Sequence, residues 1–137
     1  MADTIKKMEY CYATVEDKAG EGARVLDALR KAGLNLVAFH AFPVGGGKSQ
    51  LDLVAQDAGK LTGAAEQAGV RLSGRKSVFL IEGQDRPGAI ADILGKLGAA
   101  KINVTAVDAV CSGSGRFGAL LWVNPGDVEK AAGALGA

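Results

Sequence analysis

The run Ser77 to Glu82 (SVFLIE) is short, apolar and rich in β-favouring residues, and it stops at a cluster of turn formers, Gly83-Gln84-Asp85-Arg86-Pro87-Gly88. That pattern predicts a strand followed by a loop. Past Pro87 the apolar spacing changes. Ile90, Ile93, Leu94 and Leu97 stand at i, i+3, i+4 and i+7 and share one face of a helix. Pro87 suits the first helical position, where its missing N–H costs nothing and its fixed φ is already helical. The helix is expected to run to about Ala100, followed by a strand over Ile102 to Val110 and a turn at Ser112 to Gly115. A hairpin partner over Arg116 to Val123 and a second helix over Asp127 to Leu135 complete the pattern.

The earlier half of the chain runs through the same order. It reads as strand Met8 to Val15, helix Gly20 to Ala32, strand Leu34 to Phe42, a glycine turn, strand Lys48 to Gln56, helix Gly59 to Ala68 and a short fourth strand, Val70 to Ser73. Shifted by 68 positions, Asp17 to Asp57 falls on Asp85 to Pro125 without a gap, with 12 identical residues in 41. The identities include Asp17/Asp85, Gly20/Gly88, Leu29/Leu97, Asn35/Asn103 and Leu53/Leu121. A period this long suits two copies of a small domain and not a solenoid, so the chain is expected to divide into residues 1–74 and 75–137. The order β-α-β-β-α-β predicts an α+β protein of two tandem ferredoxin-like units, each an antiparallel sheet with its helices on one face.

The other face of those sheets does not read as polar. Leu34, Leu36, Ala38 and Phe42 lie on one face of their strand, yet Val37, Phe39 and Ala41 lie on the alternate one; Leu120 and Trp122 repeat the pattern in the second half. Strands that are apolar on both faces are buried on both. Either the other repeat or another copy of the chain is expected to cover them. The second repeat also lacks a fourth strand after its last helix, so residues near the N-terminus or a second chain are expected to complete that sheet. Both features point to a homodimer or larger assembly.

Composition narrows the function classes. Sixteen basic and fifteen acidic residues are interleaved along 137 positions, which gives no electrostatic footprint for nucleic acid. No apolar run approaches the ~20 residues that cross a bilayer, and Met1 to Glu9 lacks the apolar stretch of a secretory signal. A cytoplasmic protein without a membrane partner is expected. Cys11 and Cys111 lie one in each half, and both read as strand residues, unbridged and chemically quiet. His40 has no Cys, Asp or Glu at ligand spacing and reads as structural, so neither a metal nor a cofactor is expected. Gly45 to Gly47 and Gly113 to Gly115 lack the Lys-Ser/Thr ending of a phosphate loop and read as hairpin turns.

The turn Asp85-Arg86-Pro87-Gly88-Ala89-Ile90, the helical face after it and the strand entry Lys101-Ile102-Asn103-Val104 together resemble the ACT domain family. The resemblance covers nearly the whole chain as two tandem copies without an enzyme domain. It implies a ferredoxin-like fold that binds amino acids and regulates amino-acid metabolism, with the effector held between paired domains. It further implies that the ligand contacts the loop after the first strand and the start of the second. Those positions are Asp85, Arg86, Pro87, Gly88 and Asn103 in the second copy, and Asp17, Lys18, Ala19, Gly20 and Asn35 in the first. The first copy departs from the motif at Ala19 and Gly22, so that site is either degenerate or opened for a ligand.

The residues support such a role by their own chemistry. A helix N-terminus offers unpaired N–H groups to a carboxylate, glycine permits close approach, Asn carries both donor and acceptor, and Asp receives an ammonium. The same residues also serve as plain turn and hinge residues. Three functions therefore stand open: a regulatory module for a small amino acid or related carboxylate, acting on a metabolic enzyme in trans; a pure interaction module with empty sites; and a small ferredoxin-like enzyme. No grouping with catalytic logic appears, so no enzymatic activity is expected.

Overall fold

The structure, a computed structural model, describes residues 3–137. Its elements are β1 (Thr4–Glu16), α1 (Glu21–Lys31), β2 (Leu36–Gly45), β3 (Lys48–Ala55), α2 (Ala58–Ala68), β4 (Lys76–Gln84), α3 (Ala89–Ala99), β5 (Val104–Cys111), β6 (Arg116–Val123), a 3-10 turn at Pro125–Asp127 and α4 (Val128–Leu135). This is the α+β, ferredoxin-like pattern that the apolar spacing predicts, used twice. None of these helices is long and apolar enough to cross a membrane. The chain divides into two compact units, residues 9–76 and residues 77–137 joined by 3–8. The repeat alone placed the division at 74/75 and assigned the first residues to the first unit. The structure instead divides the chain between Lys76 and Ser77 and assigns residues 3–8 to the second unit.

In the unit of residues 9–76 the strand order is β2-β3-β1. Cys11 stands opposite Leu53 and Ala13 opposite Leu51. With Val15 and Ala55 they share one core with Val25 and Leu29 of α1 and Leu61 and Ala65 of α2. The expected fourth strand over Val70 to Ser73 does not form. Ser73 N–H donates to Tyr12 O at 2.8 Å, but the return bond from Tyr12 N–H goes to Ser73 Oγ at 2.9 Å. A side-chain hydroxyl in place of the carbonyl ends the ladder after one rung.

In the second unit the order is β1-β4-β6-β5. Phe79, Ile81, Ile93, Leu97, Phe117, Leu121 and Leu135 form its core, and Ile5 packs against them. Lys7 Nζ meets Glu129 Oε1 of α4 at 2.8 Å. The strand missing from the end of this repeat is thus the beginning of the same chain, one of the two sources left open above. β1 begins at Thr4, four residues earlier than the apolar pattern indicates, because Thr-Ile-Lys-Lys carries a single apolar residue for the core. With β4 covered, the missing strand no longer argues for a second chain. Of the alternate faces expected to be buried, Leu120 and Trp122 are buried, but Val37, Phe39 and Ala41 on β2 are exposed, because β2 is an edge strand and nothing among the described residues covers that face.

The backbone reproduces the repeat bond for bond. Asp17 N–H donates to Gly47 O and Asp85 N–H to Gly115 O, both at 2.9 Å; Leu34 N–H reaches Leu29 O at 3.1 Å and Ile102 N–H reaches Leu97 O at 2.9 Å. Gly20 (φ 90) and Gly88 (φ 79) are the N-caps of α1 and α3. Pro87 accordingly sits one residue before the cap and not at the first helical position. One backbone detail differs: the left-handed residue after the helix is Gly33 (φ 82) in one unit and Lys101 (φ 59) in the other. Lys101 is the only non-glycine residue with positive φ among the described residues. A Cβ in that region costs about 1–2 kcal/mol, partly offset by the chain entropy glycine loses on folding. Lys101→Gly is expected to stabilise the protein by about 0.5–1 kcal/mol in urea denaturation, and Gly33→Lys to destabilise it by a similar amount. Equal midpoints for all three proteins would refute the strain at Lys101.

Candidate functional site

β4 ends at Gln84, and Asp85 to Gly88 turn the chain into α3. Left-handed Gly88 caps the helix without a side chain, so the first-turn amides of α3 receive no side-chain acceptor. α2 shows the usual alternative, with Asp57 Oδ1 accepting from Gly59 N–H at 2.7 Å and Lys60 N–H at 3.2 Å. An uncapped N-terminus keeps its partial positive charge for another anion. Beside it lies a cavity of about 410 Å³ lined by Asp85, Arg86, Gly88, Ile90, Val110 and Cys111, among others.

Asp85 holds one polar side of this cavity, and its Oδ2 accepts from the Cys111 thiol at 3.3 Å. Cys111 is exposed at the end of β5, whereas Cys11 is fully buried and burial raises its thiol pKa. Both cysteines are free, as expected from the sequence, but only Cys11 is shielded. Cys111 is exposed because β5 is a sheet edge and its last residue has no neighbouring strand outside it.

Arg86 is held from several directions. Its Nη1 donates to Asp3 Oδ1 at 3.0 Å and to Gln84 O at 3.1 Å; its Nη2 donates to Asp3 Oδ2 at 3.2 Å and to Asp92 Oδ2 at 3.3 Å. Asp3 therefore grips the guanidinium in a bidentate pair, the strongest geometry such a pair adopts. Gly83 makes room for it. A Cβ at that position would lie 2.1 Å from Asp3 Oδ1 and 2.9 Å from Phe117 Cε1.

The structure thus brings Asp85, Arg86 and Gly88 together on one cavity and leaves Pro87 outside its lining. Asn103 stands at the far end of α3, whose 11 residues span about 16 Å, too far for one small amino acid to touch both ends. In the other unit Asp17 Oδ1 accepts from Ser49 Oγ at 2.9 Å, and Lys18 Nζ lies 3.6 Å from Glu16 Oε2. Ala19 and Gly20 are exposed beside them. Asn35 lies instead on a separate cavity of about 580 Å³, with Gly33, Gln56, Asp57, Lys60 and Gln67. Asp3, Val110 and Cys111 are site residues that sequence reasoning missed. The repeat would have pointed to none of them, since Asp3 lies outside the aligned segment and Pro43 stands where Cys111 does in the other copy.

His40 stays structural. Its Nδ1 lies 3.7 Å from buried Asp52 Oδ2, and its ring is tilted against Phe42 at 4.9 Å. Among the described residues, no three His, Cys, Asp or Glu side chains gather as a metal-binding group.

Residues 77–137, the unit that carries the Arg86 cavity, match the family model of the ACT domain. This half of the chain is an ACT domain. The 68-residue repeat and the shared fold extend the likeness to residues 9–76. Among solved structures, protein BT0572 from Bacteroides thetaiotaomicron superimposes with a TM-score of 0.80 at 19% identity, covering 96% of this chain and 88% of that one. The regulatory subunit of aspartate kinase from Thermus thermophilus gives 0.61 at 15% identity over 98% and 94%, and that from Thermus flavus 0.61 at 12% over 99% and 95%. No curated protein matches the chain in sequence. In the ACT domain of this chain, the cavity belongs to the loop that the sequence motif marks.

The ion pair gives the ACT domain a pH signature. The hydrogen bond from Arg86 holds the Asp3 carboxyl below the usual carboxylate range, against an opposing pull from burial. A carboxyl with a depressed folded-state pKa stabilises the fold above its unfolded value, near 4, and loses that contribution as pH falls through the folded value. Asp3→Asn is therefore expected to melt at a lower temperature than the wild type at pH 7, and the gap is expected to shrink at an acidic pH below the folded value. Parallel melting curves at both pH values check this; an equal offset at both would remove the ion pair as its cause.

Proposed function

We propose that this protein is a regulatory module that binds a small amino acid or a related carboxylate and passes that signal to a metabolic enzyme in trans, without catalysis of its own. The observation that carries the reading is the Asp85 to Gly88 loop, which presents an acceptor for an ammonium and an uncapped helix N-terminus for a carboxylate on one cavity. The neighbours named as aspartate kinase regulatory subunits support an enzyme of amino-acid metabolism as the partner. The Asp17 to Gly20 loop repeats the geometry, with left-handed Gly20 as an uncapped N-terminus of α1. Asn103 and Asn35 take part where the ligand bridges from one domain's loop to a facing domain, in a homodimer or larger assembly in the cytoplasm.

A pure interaction module is the second reading. The occupation of Arg86 by Asp3, Asp92 and Gln84 favours it, because a guanidinium already satisfied has little left for a ligand.

A thermal-shift screen of the common amino acids separates the two, since a ligand that prefers the folded state raises the melting temperature by mass action. Calorimetry on the ligand found is then expected to show Asp85→Ala and Asn103→Ala each weakened about 10- to 150-fold, the range for one lost hydrogen bond to a charged group. Unchanged affinity in Asp85→Ala sinks the loop as the site; no shift with any amino acid transfers the function to the interaction reading.

A further inference from the structure

Four of the five N–H donors of a guanidinium are already engaged on Arg86, and both Nη atoms point at the carboxylate of Asp3. That carboxylate belongs to the residue just before β1, in the segment that completes the second unit, and it is seated where Gly83 lacks a side chain. Asp92, the other acidic partner, makes a single bond from a largely exposed position, whereas Asp3 is mostly shielded. The bidentate face of Arg86, the one matched to a carboxylate, is therefore filled from within the chain.

We propose that Asp3 is a tethered competitor for this site: a ligand carboxylate takes the bidentate face of Arg86 only by displacing Asp3, and that exchange frees the outer end of β1 from the second unit. The idea rests on reading the Arg86 cavity as a carboxylate site. It adds a regulatory consequence. Binding exchanges one ion pair for another, so the net gain in charge pairing is small, and the output is a released strand end beside β4. A released edge is a place for a partner strand to pair.

The probe is acetate, a bare carboxylate, titrated against the isotope-labelled full chain while the Arg86 Nε–H and the amides of residues 86 and 88–91 are followed by NMR. If Asp3 fills the site about nine-tenths of the time, Asp3→Asn binds acetate about tenfold more tightly than the wild type. Gly83→Ala evicts the carboxylate by contact without changing any charge, and is expected to do the same. Asp92→Asn removes an equal charge but leaves the bidentate face filled, so it stays within about twofold. In the wild type, acetate is also expected to speed hydrogen exchange at residues 4–7. Equal effects of Asp3→Asn and Asp92→Asn would reduce the result to net charge and overturn the proposal. So would an absence of acetate contact at Arg86 in every variant, or slowed exchange at residues 4–7. A negative amino-acid screen with acetate still competing at Arg86 sinks the ligand class alone; the reverse pattern sinks the competitor alone.

Discussion

A strand that ends at the rim of a sheet must reverse within about four residues if the following helix is to lie back across the same sheet. In both units that reversal passes through a glycine in the left-handed region, Gly20 and Gly88, where an L side chain would be strained. The same turn decides the chemistry. Because glycine carries no capping side chain, the helix behind it begins with unsatisfied amides, next to an aspartate that the turn has already placed at the rim. Fold and candidate site thus depend on one backbone requirement, and the apolar faces of α1 and α3 then hold the helix against the strands that the turn left behind.

The second unit adds a constraint of its own. β4 has β6 on one side and needs a partner on the other, and the polar residues at the start of β1 supply it. One apolar contact from Ile5 is too little to hold a strand in place. Beside its backbone bonds to β4, the segment is fastened at its ends by charge, Asp3 to Arg86 and Lys7 to Glu129. Exposed ion pairs contribute about 0–1 kcal/mol each, so Lys7 and Glu129 add little and the shielded, bidentate Asp3 pair carries more of the attachment.

Much of the candidate site was legible because backbone demands leave local marks. The turn aspartate, the left-handed glycine and the strand-entry asparagine recur at a fixed offset in both copies, and each stands in the same backbone position in its unit. Their proximity to one another was not legible. Asn103 and the Asp85 loop are joined by one helix, and a helix separates its ends by its own length. The pairing of Arg86 with Asp3 crosses 83 positions, and Asp3 lies outside the repeated segment, so no periodicity announces it.

Sequence by itself determined the element order, the duplication, the turns that need glycine and the apolar faces that form each core, because these follow from local geometry and from periods of two and 3.6 residues. It misjudged Val70 to Ser73, where one hydroxyl replaced a carbonyl, and Pro87, where the cap fell one residue later. Only the tertiary structure decided which unit receives residues 3–8, which carboxylate holds Arg86 and which cysteine is exposed. Those choices depend on which distant segments meet, and a contact between distant segments is settled by how completely edges and charges are satisfied in the folded chain, a sum to which no single stretch of sequence has access.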